Sequence, residues 1–231
     1  MRTVALLATL ASLVGLILVS IMREDDAMTS TEPPKLSRED QRSLLHLARE
    51  ALAAHLHDKA GIEVDETTLG EDLLREAACF VTLTKNGQLR GCILDRFEAH
   101  ESIYRNVMRN VILAATTDYR FPPVGPDELP QLAIEISVLG VPYALAFEDA
   151  EALLAALRPG EDGVILTTPY GTATYLPQVW EQIPDPEEFL SSLCQKHGAP
   201  SDCWAQPPYP AVQIYHVLHF AEPDPSPVMP D

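Results

Sequence analysis

Positive charge is what this chain has least of. Sixteen lysines and arginines stand against 34 aspartates and glutamates, a formal charge of −18 over 231 residues. Phosphate binding needs a basic surface, so nucleic acid is excluded as a partner. The acidic balance itself speaks to solubility rather than to fold. Cysteine is also scarce. Cys79, Cys92, Cys194 and Cys203 include no C-x-x-C pair, which leaves a zinc knuckle or a thioredoxin motif without support. The histidines form no ligand set. His55 and His57 are two apart on a predicted helix and point apart. His216 and His219 are predicted on opposite faces of the last strand, and His46, His100 and His197 stand alone. No metal site follows. P-loop, G-x-S-x-G and dinucleotide fingerprints are absent, and so is any internal repeat.

Apolar residues make up 46% of the chain, which argues for a globular protein. Residues 4–22 carry no charge and, as a helix, approach the roughly 30 Å hydrocarbon thickness of a bilayer. No small-x-small cleavage site follows this run, so residues 1–28 read as an uncleaved anchor in preference to a signal peptide. Arg2 places the domain on the exocytoplasmic side by the positive-inside rule, on a margin of one charge. A start at Met22 or Met28 would remove the segment and leave a cytoplasmic protein. Residues 29–35 read as a linker, 36–220 as one domain, and 221–231 as a proline-rich tail.

Within the domain the signals alternate. Ser37 to Asp40 resembles a capping box, and Leu44, Ala48, Ala51, Leu52 and Leu56 repeat at helical spacing up to Gly61. A second helix carries Ile103, Val107, Val111, Ala114 and Ala115 on one stripe and stops near Asp118. Residues 132–139 alternate as a strand. Asp149 caps a short helix, residues 163–168 and 172–176 are two strands, and Asp185-Pro186-Glu187-Glu188 starts a helix that ends at His197-Gly198. Residues 212–220 read as one final strand. Strands and helices mix without regular βαβ units, so the predicted class is α+β: an antiparallel sheet flanked by helices, with a smaller α/β subdomain.

The densest signal is the stretch 78–94. Asn86-Gly87 is a two-residue hairpin turn, since both positions favour positive φ. That turn predicts Lys85 opposite Gln88, Leu83 opposite Arg90 and Val81 opposite Cys92. One face then holds Cys79, Val81, Leu83, Arg90, Cys92 and Leu94, with Cys79 and Cys92 as diagonal neighbours too far apart for an easy disulfide. Gly91 lets a backbone or a ligand approach closely. Cys194 and Cys203 flank a helix end and can meet in an oxidising compartment, whereas burial as free thiols is the expectation for most of the four.

Several motifs, in order, resemble one family. They are Cys79-Phe80-Val81-Thr82-Leu83, Leu89-Arg90-Gly91-Cys92-Ile93, Asp118 through Val124, Ile134 through Leu139, Gly163 through Leu166, Tyr175 through Trp180, and Phe189-Leu190 through Cys194 and Lys196. Together they resemble AmmeMemoRadiSam system protein A, whose domain is that of the Alport-syndrome, midface-hypoplasia and elliptocytosis chromosomal-region protein. The resemblance implies an α+β domain with a smaller subdomain, and a setting with a Memo-like protein and a radical S-adenosylmethionine protein as partners. It implies no reaction and no cofactor. Leu94 stands where the family motif has glycine, and Tyr119 where it usually has proline. The apolar N-terminus is not a usual part of the domain.

The residues suggest one candidate site. Cys92, Arg90 and Glu135 are the candidate catalytic groups: a thiol, a cation that lowers its pKa, and a base or arginine partner. Asp118, Arg120 and Gly91 are the candidate substrate-binding groups, Arg120 through bidentate contact with a carboxylate or phosphate of a small molecule. The plain alternatives are that Cys92 fills space and that Arg90 or Arg120 pairs with Glu135 as an internal salt bridge. Two functions follow: an enzyme or enzyme subunit acting through Cys92 and Arg90 with the Memo-like and radical proteins, or a non-catalytic binding or adaptor module of the same system.

Overall fold

Ser37 starts the first helix as its sequence requires. Its hydroxyl accepts the Asp40 N–H at 3.1 Å while Asp40 Oδ2 accepts the Ser37 N–H at 3.1 Å, a reciprocal cap worth about 1 kcal/mol. The computed structural model describes residues 31–223 and residue 225. The expected anchor over residues 4–22, both alternative start codons and most of the tail lie outside these. Among the described residues no helix is long and apolar enough to cross a membrane.

In chain order the elements are α1 (Arg38–Leu56), β1 (Cys79–Lys85), β2 (Gln88–Ile93), α2 (Ile103–Thr116), β3 (Leu132–Leu139), β4 (Tyr143–Ala144), α3 (Ala150–Ala156), β5 (Gly163–Thr168), β6 (Gly171–Tyr175), α4 (Pro186–Lys196), β7 (Ala211–Tyr215) and β8 (Val217–Ala221). The fold is α+β, built on two four-stranded antiparallel sheets ordered β2-β1-β3-β8 and β4-β7-β5-β6.

The first sheet has two differently used faces. Cys79, Val81, Leu83, Ile134, Ile136 and Val138 point at α1 and α2 and form the larger core with Leu44, Leu52, Val107 and Val111. Two asparagines interrupt the apolar stripe of α2, and both are buried. Asn106 Oδ1 accepts the Cys79 N–H at 3.0 Å and Asn110 Nδ2 donates to the Cys79 carbonyl at 2.8 Å, so they pin the start of β1. The opposite face carries Phe80, which joins the contact with the second sheet through Phe97, Ile165, Leu176 and Tyr215. The second sheet packs α3 and α4 around Trp180 and Phe189, whose rings stack at 3.6 Å.

Two predictions are corrected here. The single strand over 212–220 is two strands in different sheets, with the change at His216. The hairpin keeps its Asn86-Gly87 turn, but its register changes between Leu83 and Thr84: Leu83 pairs with Gly91, Thr82 with Cys92 and Val81 with Ile93. Arg90 is the extra residue of a β-bulge. Because side chains alternate, one inserted residue sends everything after it to the other face. Cys92 therefore lies on the face away from Cys79.

Candidate functional site

The bulge decides which groups meet. Gly91 faces α2, and a Cβ there would fall 2.2 Å from the Ala114 carbonyl oxygen, so the close approach it permits is that of a helix backbone. Cys92 faces the other way, beside Thr82, in the row that continues to Glu135 of β3. The Thr82 hydroxyl donates to Cys92 Sγ at 3.2 Å, and the residue is half-buried.

Asp118, just beyond α2, organises this end of β2. Its carboxylate accepts the Cys92 N–H at 2.8 Å, the Arg120 N–H at 3.2 Å, and Arg120 Nε and Nη2 at 2.9 and 2.7 Å. The Arg120 hydrogen bonds, above all, hold its pKa at about 2 despite burial. The bidentate fork expected to grip a ligand is thus engaged by Asp118, and the guanidinium lies 5.6 Å from the Phe121 ring centroid.

Arg90 does not supply the cation for Cys92. Its Nε and Nη2 donate to Glu128 at 3.0 and 2.9 Å, which Lys85 also reaches at 3.0 Å, and these contacts lower the Glu128 pKa to about 2. The expected pairing of Glu135 with an arginine is not formed either: Arg90 takes Glu128 and Arg120 takes Asp118. Glu135, half-buried, makes no ion pair among the described residues.

The cations that act on Cys92 are Arg120 and Lys196, the latter from the last turn of α4. Lys196 Nζ donates to the Thr174 carbonyl at 2.8 Å and lies 4.6 Å from the Tyr175 ring centroid. Loss of water lowers its pKa, although the residue as a whole is exposed. Burial likewise dominates at Cys92 and raises the thiol, against the Thr82 hydrogen bond and the two cations. Cys79 is raised further by complete burial. Burial thus favours the thiol over the thiolate at Cys92.

Sequence reasoning missed Lys196 and Thr82 as members of this group. Lys196 reads as an ordinary C-terminal helix cation, and only the docking of the second sheet brings it to the thiol. The split of the last strand adds a further correction. His216 and His219, predicted to point apart, line one cleft of about 420 Å³ with Arg158 and Gln178. His216 lies 3.1 Å from buried Asp162 and 2.8 Å from Glu32. Among the described residues no three histidine, cysteine or acidic side chains are grouped to hold a metal ion. Cys194 and Cys203 form a disulfide, Cα to Cα 6.1 Å.

Two four-stranded antiparallel sheets with helices packed on them place the domain in the α+β class. Residues 45–220 match the AMMECR1 family model, and the chain belongs to that family. It is 37% identical over 175 residues to a protein of Methanothermobacter thermautotrophicus, covering 74% of this chain and 89% of the relative. It is 32% identical over 200 residues to one of Methanopyrus kandleri, covering 83% and 93%. The crystal structure of the uncharacterised protein PH0010 from Pyrococcus horikoshii superposes with a TM-score of 0.75 at 30% identity, over 82% of this chain and 95% of that one.

Proposed function

We propose that the domain is a binding subunit that holds a small anionic molecule at the junction of the two sheets, within a system that includes a Memo-like and a radical S-adenosylmethionine protein. The observation that supports this reading is the pair of cations, Arg120 and Lys196, acting on a half-buried cysteine whose thiol form burial favours, in a strongly acidic protein. Such a thiol is a poor resident nucleophile, because nucleophilic attack needs the thiolate. Asp118 sets the place of Cys92 through its backbone N–H and keeps Arg120 oriented. The second reading, an enzyme acting through Cys92, is favoured by the same two cations, which pull the thiol pKa down against burial.

Iodoacetamide labelling of the folded chain between pH 7 and pH 10 separates the two. The binding reading expects slow modification of Cys92 at pH 7, and a Cys92→Ser chain that still supports the system in cells. Fast modification at pH 7, or loss of support by Cys92→Ser in a chain that still folds, moves the assignment to the enzyme. Lys196→Met is expected to slow labelling further, because it removes one of the opposing cations.

A further inference from the structure

A second cleft, of about 400 Å³, lies on the other side of the first sheet, between the end of α1, the loop after it and α2. Its walls differ from the rest of this acidic surface. Lys59, Arg105 and Arg109 line it with His55, and the one acid there is Glu101. Ala51, Ile62, Met108 and Ile112 supply an apolar lining.

The cations are not equally engaged. Arg105 is held by Glu66 at 2.7 Å and by the Tyr104 hydroxyl at 2.7 Å. Lys59 makes no ion pair among the described residues. Arg109 places Nη1 2.9 Å from Asp95 and Nη2 2.7 Å from Glu101, the latter without the alignment of a hydrogen bond. Its Nε is shielded from water and has no acceptor. An anionic head that enters the cleft meets Lys59, unpaired among the described residues, and a partly exposed Arg109, and gains charge-assisted hydrogen bonds there. The apolar lining would be covered by a hydrocarbon body, which a bare inorganic anion lacks.

We propose that this cleft is a second binding site, for a small amphiphilic anion: a carboxylate or phosphate ester whose head meets Arg109 and Lys59 and whose hydrocarbon part covers Ile62, Met108 and Ile112. The inference is independent of the Cys92 reading, since α2 and the first sheet stand between the two places.

The test is NMR titration of the isotope-labelled full chain with hexanoate, acetate, inorganic phosphate and hexylammonium. Saturable shifts around Ile62, Met108 and Ile112 are expected with hexanoate, with at least fivefold weaker binding of acetate and phosphate and none of hexylammonium. Lys59→Gln, at an exposed residue that supports no part of the fold, is expected to weaken hexanoate severalfold. Arg109→Gln should abolish it. Hexylammonium binding as well as hexanoate, shifts that never saturate, or unchanged affinity in Lys59→Gln would each overturn the proposal. Phosphate equal to hexanoate would overturn its amphiphilic part.

Discussion

Asp118 joins three things with one carboxylate: the backbone of β2 at Cys92, its own turn at Arg120, and the Arg120 guanidinium. Its folded pKa of about 2 lies below the ordinary aspartate value near 3.9, and Glu128 behaves likewise. A depressed carboxylate pKa stabilises the fold fully above the unfolded pKa, and this stabilisation is lost as pH falls through the folded one. Each group is therefore expected to contribute on the order of 2 kcal/mol at neutral pH, lost between about pH 4 and pH 2. Urea midpoints at several pH values check this, and Asp118→Asn should start lower at pH 7 and respond less to acid over that window. Asp118 and Cys92 were visible in the sequence as candidate neighbours because motif residues cluster there. The role of Arg90 was misread because its partner, Glu128, lies 38 residues away and nothing local announces it.

At the scale of elements, helix starts were the most legible feature. Ser37, Asp149 and Asp185 each accept a backbone N–H three residues on, and that chemistry is contained in four consecutive residues. The bulge at Arg90 was not legible, since Asn86-Gly87 determines the turn and not what happens four residues later. The change of sheet at His216 was hidden for a similar reason: the run around it stays rich in strand formers on both sides. Gly91 ties the bulged strand to α2, and Gly91→Ala is expected to destabilise the protein by about 2–3 kcal/mol, because neither backbone can yield to a Cβ 2.2 Å from the Ala114 oxygen. Thermal or urea unfolding measures this directly. The Cys194–Cys203 disulfide closes a short loop at the end of α4, and its reduction, or Cys203→Ser, should cost about 2–3 kcal/mol by the same measurement.

The whole molecule is fastened where the first sheet ends. Glu222 receives Arg49 of α1 and the Ile134 N–H at 2.9 Å, while Arg49 also donates to the Leu129 and Leu132 carbonyls at 3.1 and 2.7 Å. Glu222→Ala is expected to lower stability by about 1.5–3 kcal/mol and to speed amide exchange along β8, which hydrogen-exchange mass spectrometry resolves. The mixed class and the single run of family motifs were within reach of sequence reasoning, whereas the second four-stranded sheet and the way the two sheets share the chain were not. Gly140 and His216 mark the two passages between the sheets and are bonded to each other, Gly140 N to His216 O at 3.0 Å. Leu139 and Val217, on either side of everything between, are paired neighbours. The second sheet is thus a parenthesis in the chain: a short turn from Leu139 to Val217 would close the first sheet without it. Lys196 belongs to the parenthesis and Cys92 to the sentence around it, so the chemical temper of the thiol is a readout of how firmly the inserted layer is seated.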